Sequence, residues 1–344
     1  MKLLLPIASL LAIFALWKFS FQISDTGGTL ETPKQRGICW VAGHRKITAN
    51  EFRKPEDLHV NWISQTPFGW QREASSPEII THTSGEKMWW GESDEGISET
   101  ARVARTLKIK TLLKPHLWVG KGWPGDIQMK NDEDWSVWFS NYEKFILHYA
   151  ELAEKNHLDI LCIGTELQKT IAKEKEWRSL IKKIRSVYHG PLTYAANFYV
   201  EFEKIAFWDE LDYIGIQAYF PLSKSNDPML SELVQGWKTP LEAIEKIQRL
   251  FNKPVIFTEI GYRSTHDASI EPWRWPKAED SSEACDEAQA ACYRAFFQAV
   301  WNKKWLAGAY FWKWYPEGPH RLGAVDFTPQ EKLAEKVILE YFSK

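Results

Sequence analysis

Two glutamates follow short apolar runs in the same local pattern. Glu166 comes directly after Thr165 at the end of the run 158–165, and Glu259 comes directly after Thr258 at the end of the run 255–258. If both runs are strands of one parallel barrel, their carboxyl ends meet at the same rim and the two carboxylates face one cavity. Such a pair suits a reaction in which one protonated carboxyl acts as general acid and one ionised carboxyl as base or nucleophile. Either glutamate alone is equally well explained as a helix cap or an ion-pair partner, so the prediction depends on the pair.

Short apolar runs that alternate with helical segments predict the elements that position this pair. The eight strand candidates are 37–41, 59–64, 109–116, 158–165, 192–196, 213–218, 255–258 and 308–312. The clearest helical segments are 135–155, 173–188, 240–251, 287–302 and 330–341. Most strands are continuously apolar, which indicates burial on both faces and is typical of an α/β fold of the (β/α)₈ TIM-barrel type. The alternative, a doubly wound nucleotide-binding sheet, would require a Gly-x-Gly-x-x-Gly loop or a P-loop, and the sequence contains neither after the first strand.

Side chains at the other strand ends are suited to holding a sugar. The chain has 19 Trp, 12 Tyr and 18 Phe among its 344 residues, and flat aromatic rings bind partly apolar ligands such as pyranoses. An aromatic-rich core is the competing explanation. The predicted substrate-binding residues follow strands one, three, five, six and eight and are Trp40, His116, Trp118, Asn197, Tyr219, Trp312 and Trp314.

Several of these segments resemble a known family. The segments 37–40 (Gly-Ile-Cys-Trp), 113–116 (Leu-Lys-Pro-His), 164–166 (Gly-Thr-Glu) and 215–219 (Gly-Ile-Gln-Ala-Tyr) resemble glycoside hydrolase family 113, whose members are mainly β-mannanases. The segments 164–167 and 257–262 also resemble the acid/base and nucleophile segments of the wider clan of (β/α)₈ retaining glycosidases. The likeness spans residues 36–342.

The resemblance implies a role for each glutamate. Glu166 would be the acid/base and Glu259 the nucleophile, and Tyr219 stands where the clan often has a tyrosine that donates to the nucleophile. Retaining enzymes of this kind hold the two carboxyls ~5–5.5 Å apart. Many families of the clan have Asn directly before the acid/base, whereas this chain has Thr165, which leaves the usual donor to the sugar 2-hydroxyl unidentified.

The implied function is a retaining glycoside hydrolase that cleaves β-mannosidic linkages in mannan-type polysaccharides or oligosaccharides by double displacement. Xylan or β-glucan remain alternative substrates, because the pocket loops decide specificity. The alternative from another class is a non-catalytic, envelope-anchored barrel that binds glycan through the same aromatic rings. Two converging carboxylates disfavour that alternative, since a binding protein has no use for them.

Charge and composition exclude other partners. The 43 basic and 45 acidic side chains give a net charge of -2, so no electrostatic footprint for nucleic acid is present. The nine His and four Cys form no HExxH or CxxC motif, and we therefore predict neither a metal nor a cofactor.

The N-terminal segment has its own composition. Residues 1–22 combine Lys2, an apolar run over 3–17 and Lys18, with no small-x-small cleavage site, which favours an uncleaved signal anchor over a cleaved signal peptide. Residues 23–35 are polar and indicate a linker to the catalytic domain, 36–344. We therefore expect an exported protein that is either membrane-anchored or secreted or periplasmic.

Overall fold

Eight parallel strands close into a barrel in the computed structural model, which describes residues 33–81, 88–277, 280, 283–318 and 323–344. The strands in these residues are β1 (Gln35–Trp40), β2 (Trp62–Gln65), β3 (Phe68–Gln71), β4 (Ile80–Thr81), β5 (Lys110–Leu113), β6 (His116–Val119), β7 (Ile160–Thr165), β8 (Leu192–Asn197), β9 (Ile214–Gln217), β10 (Val255–Ile260) and β11 (Leu306–Trp314). Around the barrel the order is β1, β2, β5, β7, β8, β9, β10 and β11, and β11 pairs with β1. The predicted (β/α)₈ fold is confirmed.

Helices cover the outside of the barrel. Within the described residues they are α1 (Arg53–Asp57), α2 (Asp94–Thr106), α3 (Asp132–Lys155), α4 (Glu174–Arg185), α5 (Glu201–Lys204), α6 (Leu230–Gly236), α7 (Lys238–Phe251), α8 (Asp286–Phe296) and α9 (Leu333–Phe342). Every residue of β7, β8 and β10 is buried, because side chains alternate between the barrel interior and the helix layer. The barrel and its helices form one compact unit over Lys34–Lys344.

Local sequence explains the best defined helix. The Asn131 side chain accepts a hydrogen bond from the Asp134 amide, and the first turn of α3 is acidic at three consecutive positions. An Asn cap and negative charge at this end satisfy free amides and oppose the positive end of the helix dipole. The inner face of α3 then buries an aromatic stripe in which Trp138 stacks on Tyr142 at a centroid distance of 4.9 Å. Part of the tryptophan content is thus core packing.

Two predicted elements were wrong in their extent. The strand candidate 109–116 is divided, because β5 ends at Leu113 and β6 begins at His116 after the break at Lys114 and Pro115. The helix candidate 287–302 ends as α-helix at Phe296 and continues as a π-helix over Phe297–Trp301. The helix α2 was not predicted, although Ser93 caps its N-terminus by accepting from the Gly96 amide at 3.1 Å.

A small second sheet lies beyond two neighbouring barrel strands. After β2 and after β5 the chain reaches a proline, Pro67 or Pro115, and continues as β3 or β6. A proline has no amide to donate and so ends a strand ladder. The strands β3 and β6 then pair in parallel, as β2 and β5 do, and the short strand β4 adds to the outer edge of β3. The second sheet therefore extends one side of the barrel past its rim.

The N-terminal predictions fall on other residues. The proposed anchor and most of the linker, residues 1–32, lie outside the described residues. Among the residues that are described, no helix combines the length and the apolar character needed to span a membrane.

Candidate active site

The two glutamates lie in one cavity at the rim where the barrel strands end. Glu166 follows β7 directly, and Glu259 is the second-last residue of β10. Both line a cavity of about 1400 Å³. This volume exceeds the ~300–1,000 Å³ of a typical small-ligand pocket and suits an extended ligand. The cavity lining also includes Phe68, His116, Trp118, Trp123, Asn197, Tyr219, Trp273, Trp275 and Trp312.

Glu259 is a buried carboxylate held by two donors. The ammonium of Lys114, which is itself fully buried, contacts Glu259 Oε1, and the Tyr219 hydroxyl donates to Oε2 at 2.7 Å. Burial is the largest single influence and acts to lower the pKa of Lys114. The charge of Glu259, its hydrogen bond and the nearby Cys39 and Cys162 together outweigh burial and raise the pKa, so Lys114 stays charged. Burial and the same negative charge raise the pKa of Tyr219 well above its usual value, so the phenol keeps its proton. Glu259 is thereby paired while one face of the carboxylate remains at the cavity.

His116 lies beside this pair as a neutral ring. Its Nε2 is 3.8 Å from Glu259 Oε1, a distance at which an ion pair would form if the ring were charged. Burial, followed by the nearby charge of Lys114, lowers the pKa of His116 well below its usual value, and we therefore assign no ion pair. Nε2 has no hydrogen-bond partner within the described residues although it is buried.

Glu166 has the opposite environment. Asn197 Nδ2 donates to its Oε1 at 2.7 Å, and Trp123 Nε1 donates to its Oε2 at 3.2 Å. Burial raises the pKa of Glu166, and the negative charge of Glu259 raises it further, against the opposing effect of these two hydrogen bonds. Glu166 is thus the carboxyl that holds a proton more readily, as a general acid requires.

A further buried carboxyl, that of Glu201, supports the backbone around Glu166. Glu166 has a φ of 52°, in the left-handed region that costs a non-glycine residue on the order of 1–2 kcal/mol. Hydrogen bonds hold this conformation, because the Leu167 amide donates to the Tyr194 hydroxyl at 2.9 Å and that hydroxyl donates to Glu201 Oε1 at 2.6 Å. The other oxygen of Glu201 accepts from the Asn197 amide at 2.6 Å. Burial raises the pKa of Glu201 to about 8. The Glu201 carboxyl therefore positions both Glu166 and Asn197, whose side-chain amide donates to Glu166.

The predicted substrate-binding residues divide into two groups. His116, Trp118, Asn197, Tyr219 and Trp312 line the cavity. Trp40 and Trp314 do not. Trp40 is 3% exposed and stacks on Phe52 at 4.4 Å, and Trp314 is 2% exposed in the hydrophobic core, so the structure offers neither ring to a ligand. The structure contradicts the prediction that both are binding residues, because each packs into the protein interior instead.

Several site residues were missed or received no role. Lys114 lies in the segment 113–116, which carried the family resemblance, but it was given no role. A lysine that directly follows an apolar strand indicates a charge that must be paired inside the barrel. No contact of Trp123 with a glutamate was predicted, yet its indole donates to Glu166. Trp273 and Trp275 lie in the long segment after β10, whose fold no local pattern predicts. Thr165, which stands where the clan often has Asn, is buried with its hydroxyl 3.5 Å from the Pro115 carbonyl, so it does not face the cavity.

One group of potential metal ligands occurs in the described part of the chain. Donor atoms of Asp227, His266 and Cys285 lie within 4.8 Å of one another, outside the cavity lining. His266 Nδ1 lies 2.6 Å from the exposed Asp227 carboxylate, and this hydrogen bond raises the pKa of the ring. An ion pair on the surface accounts for the contact between Asp227 and His266, and this group has no part in the cavity chemistry.

The arrangement can perform a displacement with acid assistance. Glu259 and Glu166 face the same space, and aromatic rings line the cavity around them. The two side chains are chemically identical but have different neighbours, because Glu259 is paired with a buried ammonium whereas burial and the charge of Glu259 raise the pKa of Glu166. Different environments for two carboxyls are typical of an acid and nucleophile pair.

The family model described as Glycoside Hydrolase Family 113 matches residues 42–325. The structure of a family 113 β-mannanase from Alicyclobacillus acidocaldarius is similar at a TM-score of 0.75 and 25% identity, over 91% of this chain and 98% of that one. A structure described as a family 113 β-1,4-mannanase is similar at a TM-score of 0.76 and 25% identity, over 91% of this chain and 100% of that one.

A likeness of fold alone extends further. A family 2 β-galacturonidase from Eisenbergiella tayi has a TM-score of 0.57 and 17% identity, over 91% of this chain and 51% of that one. No curated protein has a significant sequence match to this chain.

The buried ion pair predicts a specific pattern of stabilities. Lys114→Met leaves the Glu259 carboxylate buried without its counter-charge and should lower the free energy of unfolding by about 3–5 kcal/mol. Lys114→Met combined with Glu259→Gln removes that charge and should recover most of the loss. Urea denaturation at neutral pH measures the free energy of unfolding of the parent protein, the single variant and the double variant. Lys144→Met, which changes an exposed lysine, is the control. Equal losses in the single and double variants would contradict the pairing.

The hydrogen bond from Asn197 predicts a titration shift. The amide favours the ionised form of Glu166, so Asn197→Ala should raise the pKa of Glu166 above its value in the parent protein. Carbon-13 NMR titration of labelled glutamate carboxyls measures this, with Glu166→Gln to assign the signal. Asn141→Ala, which removes a side chain bonded to the Pro77 carbonyl, is the matched control and should leave the titration unchanged. A lowered pKa in Asn197→Ala would contradict the assigned contact.

Proposed function

The chain belongs to glycoside hydrolase family 113 and is a glycoside hydrolase, and we propose that it cleaves β-mannosidic bonds of mannan-type polysaccharides or oligosaccharides with retention of configuration. The observation that carries the proposal is that Glu166 and Glu259 share one cavity in opposite electrostatic environments. The two family 113 structures at 25% identity, both described as β-mannanases, support the substrate class.

In the proposed first step, a Glu259 carboxylate oxygen attacks the anomeric carbon and the bond to the leaving oxygen breaks. Glu166 donates its proton to that oxygen, so the product is an alcohol rather than an alkoxide. The hydroxyl of Tyr219 and the ammonium of Lys114 hold the attacking carboxylate in place. The step leaves the sugar joined to Glu259 as an ester and leaves Glu166 ionised.

The second step uses the same electrostatics in reverse. Esterification removes the negative charge of Glu259, which is one of the two causes that raise the pKa of Glu166. The pKa of Glu166 therefore falls when its role changes from acid to base. Glu166 then takes a proton from water, the hydroxide oxygen attacks the anomeric carbon, and the Glu259 carboxylate is released. Two displacements at one carbon retain its configuration.

Neighbouring groups hold the sugar. His116 and Trp312 both line the cavity, and the half-buried Trp312 ring offers a flat face to the pyranose. On the other side, the edge of Trp275 lies against Trp312 at 6.4 Å with an interplanar angle of 84°, and Trp273 stacks on Phe198 at 5.3 Å. The cleft is therefore bounded by aromatic rings, as a glycan chain requires.

The proposal also places the chain outside the cytoplasm. It rests on the apolar segment 3–17 between Lys2 and Lys18, which favours an uncleaved signal anchor. Membrane fractionation tests this point, because a soluble protein that begins after residue 22 would show a cleaved signal peptide instead.

The substrate class is tested directly on a panel of polysaccharides. Purified residues 30–344 should release oligosaccharides from β-mannan, and the products resolved by length distinguish internal from terminal cleavage. Xylan and β-glucan are the comparison substrates, and faster hydrolysis of either would replace the mannan assignment. Binding to glycan without hydrolysis of any member would favour the non-catalytic alternative.

The two glutamates should respond differently to substitution. Glu259→Ala removes the nucleophile and should abolish turnover of every substrate. Glu166→Ala should lower turnover of mannan by at least the ~10²-fold typical of losing a positioned acid, but it should spare the first step on an activated aryl mannoside, whose phenolate needs no proton. Added azide should then attack the covalent intermediate and yield a β-mannosyl azide.

The control for this comparison is Glu151→Ala, at an exposed position of α3, which should retain full activity. The reverse pattern, in which azide yields the β-mannosyl azide with Glu259→Ala and the inverted α-mannosyl azide with Glu166→Ala, would exchange the two roles. Full activity of both variants would show that the reaction uses other groups.

A further inference from the structure

An aromatic surface outside the cavity continues from the catalytic residues. The strands β3 and β6 pair so that Phe68 lies beside His116 and Trp70 beside Trp118. Because side chains alternate along a strand, these four rings share one face of the second sheet. The opposite face is buried, where Gln71 accepts a hydrogen bond from the Trp138 indole at 3.0 Å. One side of β3 and β6 is therefore fixed to the core, and the other side carries these four rings, with Ile80 of β4 beside Trp70.

The two indoles of this face are more exposed than the two rings next to the cavity. His116 and Phe68 are partly buried, whereas Trp118 is 50% exposed and Trp70 is 44% exposed. Ring centroids are 5.5 Å apart between Phe68 and His116, 6.2 Å between Phe68 and Trp118, and 5.8 Å between Trp70 and Trp118. Phe68, His116 and Trp118 line the cavity, but Trp70 lies beyond it. The rings form a continuous row that leaves the cleft.

Two adjacent exposed indoles are unusual on a surface that only contacts water. Burying such rings in the core would gain the free energy of apolar transfer, so an exposed pair anchored on a sheet indicates a ligand that covers it. The row begins 3.8 Å from the Glu259 carboxylate at His116, and this continuity indicates that the ligand is the one bound in the cleft. A glycan chain has flat apolar faces on successive rings and can lie along the row.

We propose that Trp70 and Trp118 form an outer sugar-binding subsite that holds a pyranose of the substrate chain beyond the rings next to the cleaved bond. The proposal rests on the proposed hydrolysis of a β-linked glycan. The ligand is a neutral β-linked oligosaccharide long enough to reach from the glutamates to Trp70. The subsite acts on binding and takes no part in the chemistry.

The experiment compares short and long ligands. Isothermal titration calorimetry on the Glu259→Ala protein measures affinity for mannotriose and mannohexaose, with and without Trp70→Ala. Loss of one stacked ring should weaken mannohexaose binding by about 3- to 10-fold and leave mannotriose binding unchanged. Trp70→Phe should restore part of the loss. Leu339→Ala, which truncates an exposed apolar side chain on α9, is the control and should bind both ligands as the parent does.

The outcomes separate the subsite from the assignment of mannan. If Trp70→Ala weakens both ligands equally or neither, the subsite is refuted. If the parent binds neither manno-oligosaccharide, the mannan assignment fails, and the same comparison with xylotriose and xylohexaose, or cellotriose and cellohexaose, decides the subsite. If sedimentation shows a dimer that Trp70→Ala dissociates without a change in affinity, the indoles form a contact between copies and the proposal is overturned.

Discussion

The buried contact between Lys114 and Glu259 is the interaction on which the rest of the site depends. A charged ammonium and a carboxylate inside a barrel are each costly to bury, and only their pairing makes both tolerable. Lys114 directly follows β5 and Glu259 lies in β10, strands that are not neighbours, so a closed barrel is needed to bring the two charges together. Once Glu259 is held as an anion, its charge contributes to raising the pKa of Glu166, and its neighbours Lys114 and Tyr219 remain protonated. The different roles of the glutamates follow from this one pair.

Glu166, the proposed acid, is held in place by a separate set of hydrogen bonds. Glu201 holds the Asn197 amide and, through the Tyr194 hydroxyl, the backbone that follows Glu166. Gly164 permits this packing, since a Cβ there would lie 2.6 Å from the Tyr194 ring. Glu259, the proposed nucleophile, is therefore held by a counter-charge and by the Tyr219 hydroxyl, whereas Glu166, the proposed acid, is held by hydrogen bonds alone. This division fits an enzyme in which Glu166 changes protonation twice per turnover and Glu259 forms and breaks a covalent bond.

The sequence predicts the barrel and the glutamate pair because both depend on patterns that are local along the chain. Most barrel strands are continuous apolar runs, and Glu166 and Glu259 stand at the ends of two of them. The burial of Trp40 and Trp314 could not be read in this way, because strand alternation does not tell which indole meets a neighbour such as Phe52. The hydrogen bond between the Leu167 amide and Tyr194 and the position of Trp275 beside Trp312 were also hidden, since they join segments that are distant in sequence. The second sheet had a signal in the matching prolines Pro67 and Pro115, which end two adjacent strands.

The most direct test of the account is to identify the side chain that becomes bonded to the sugar. A 2-deoxy-2-fluoro β-mannoside with an activated leaving group should form the covalent intermediate, and the fluorine slows its hydrolysis enough for isolation. Peptide mass spectrometry of the trapped protein should then find the added sugar mass on Glu259. Finding the sugar mass on Glu166 or on any other residue would contradict the assignment of Glu259 as nucleophile. The same holds if the protein hydrolyses mannan but is never labelled.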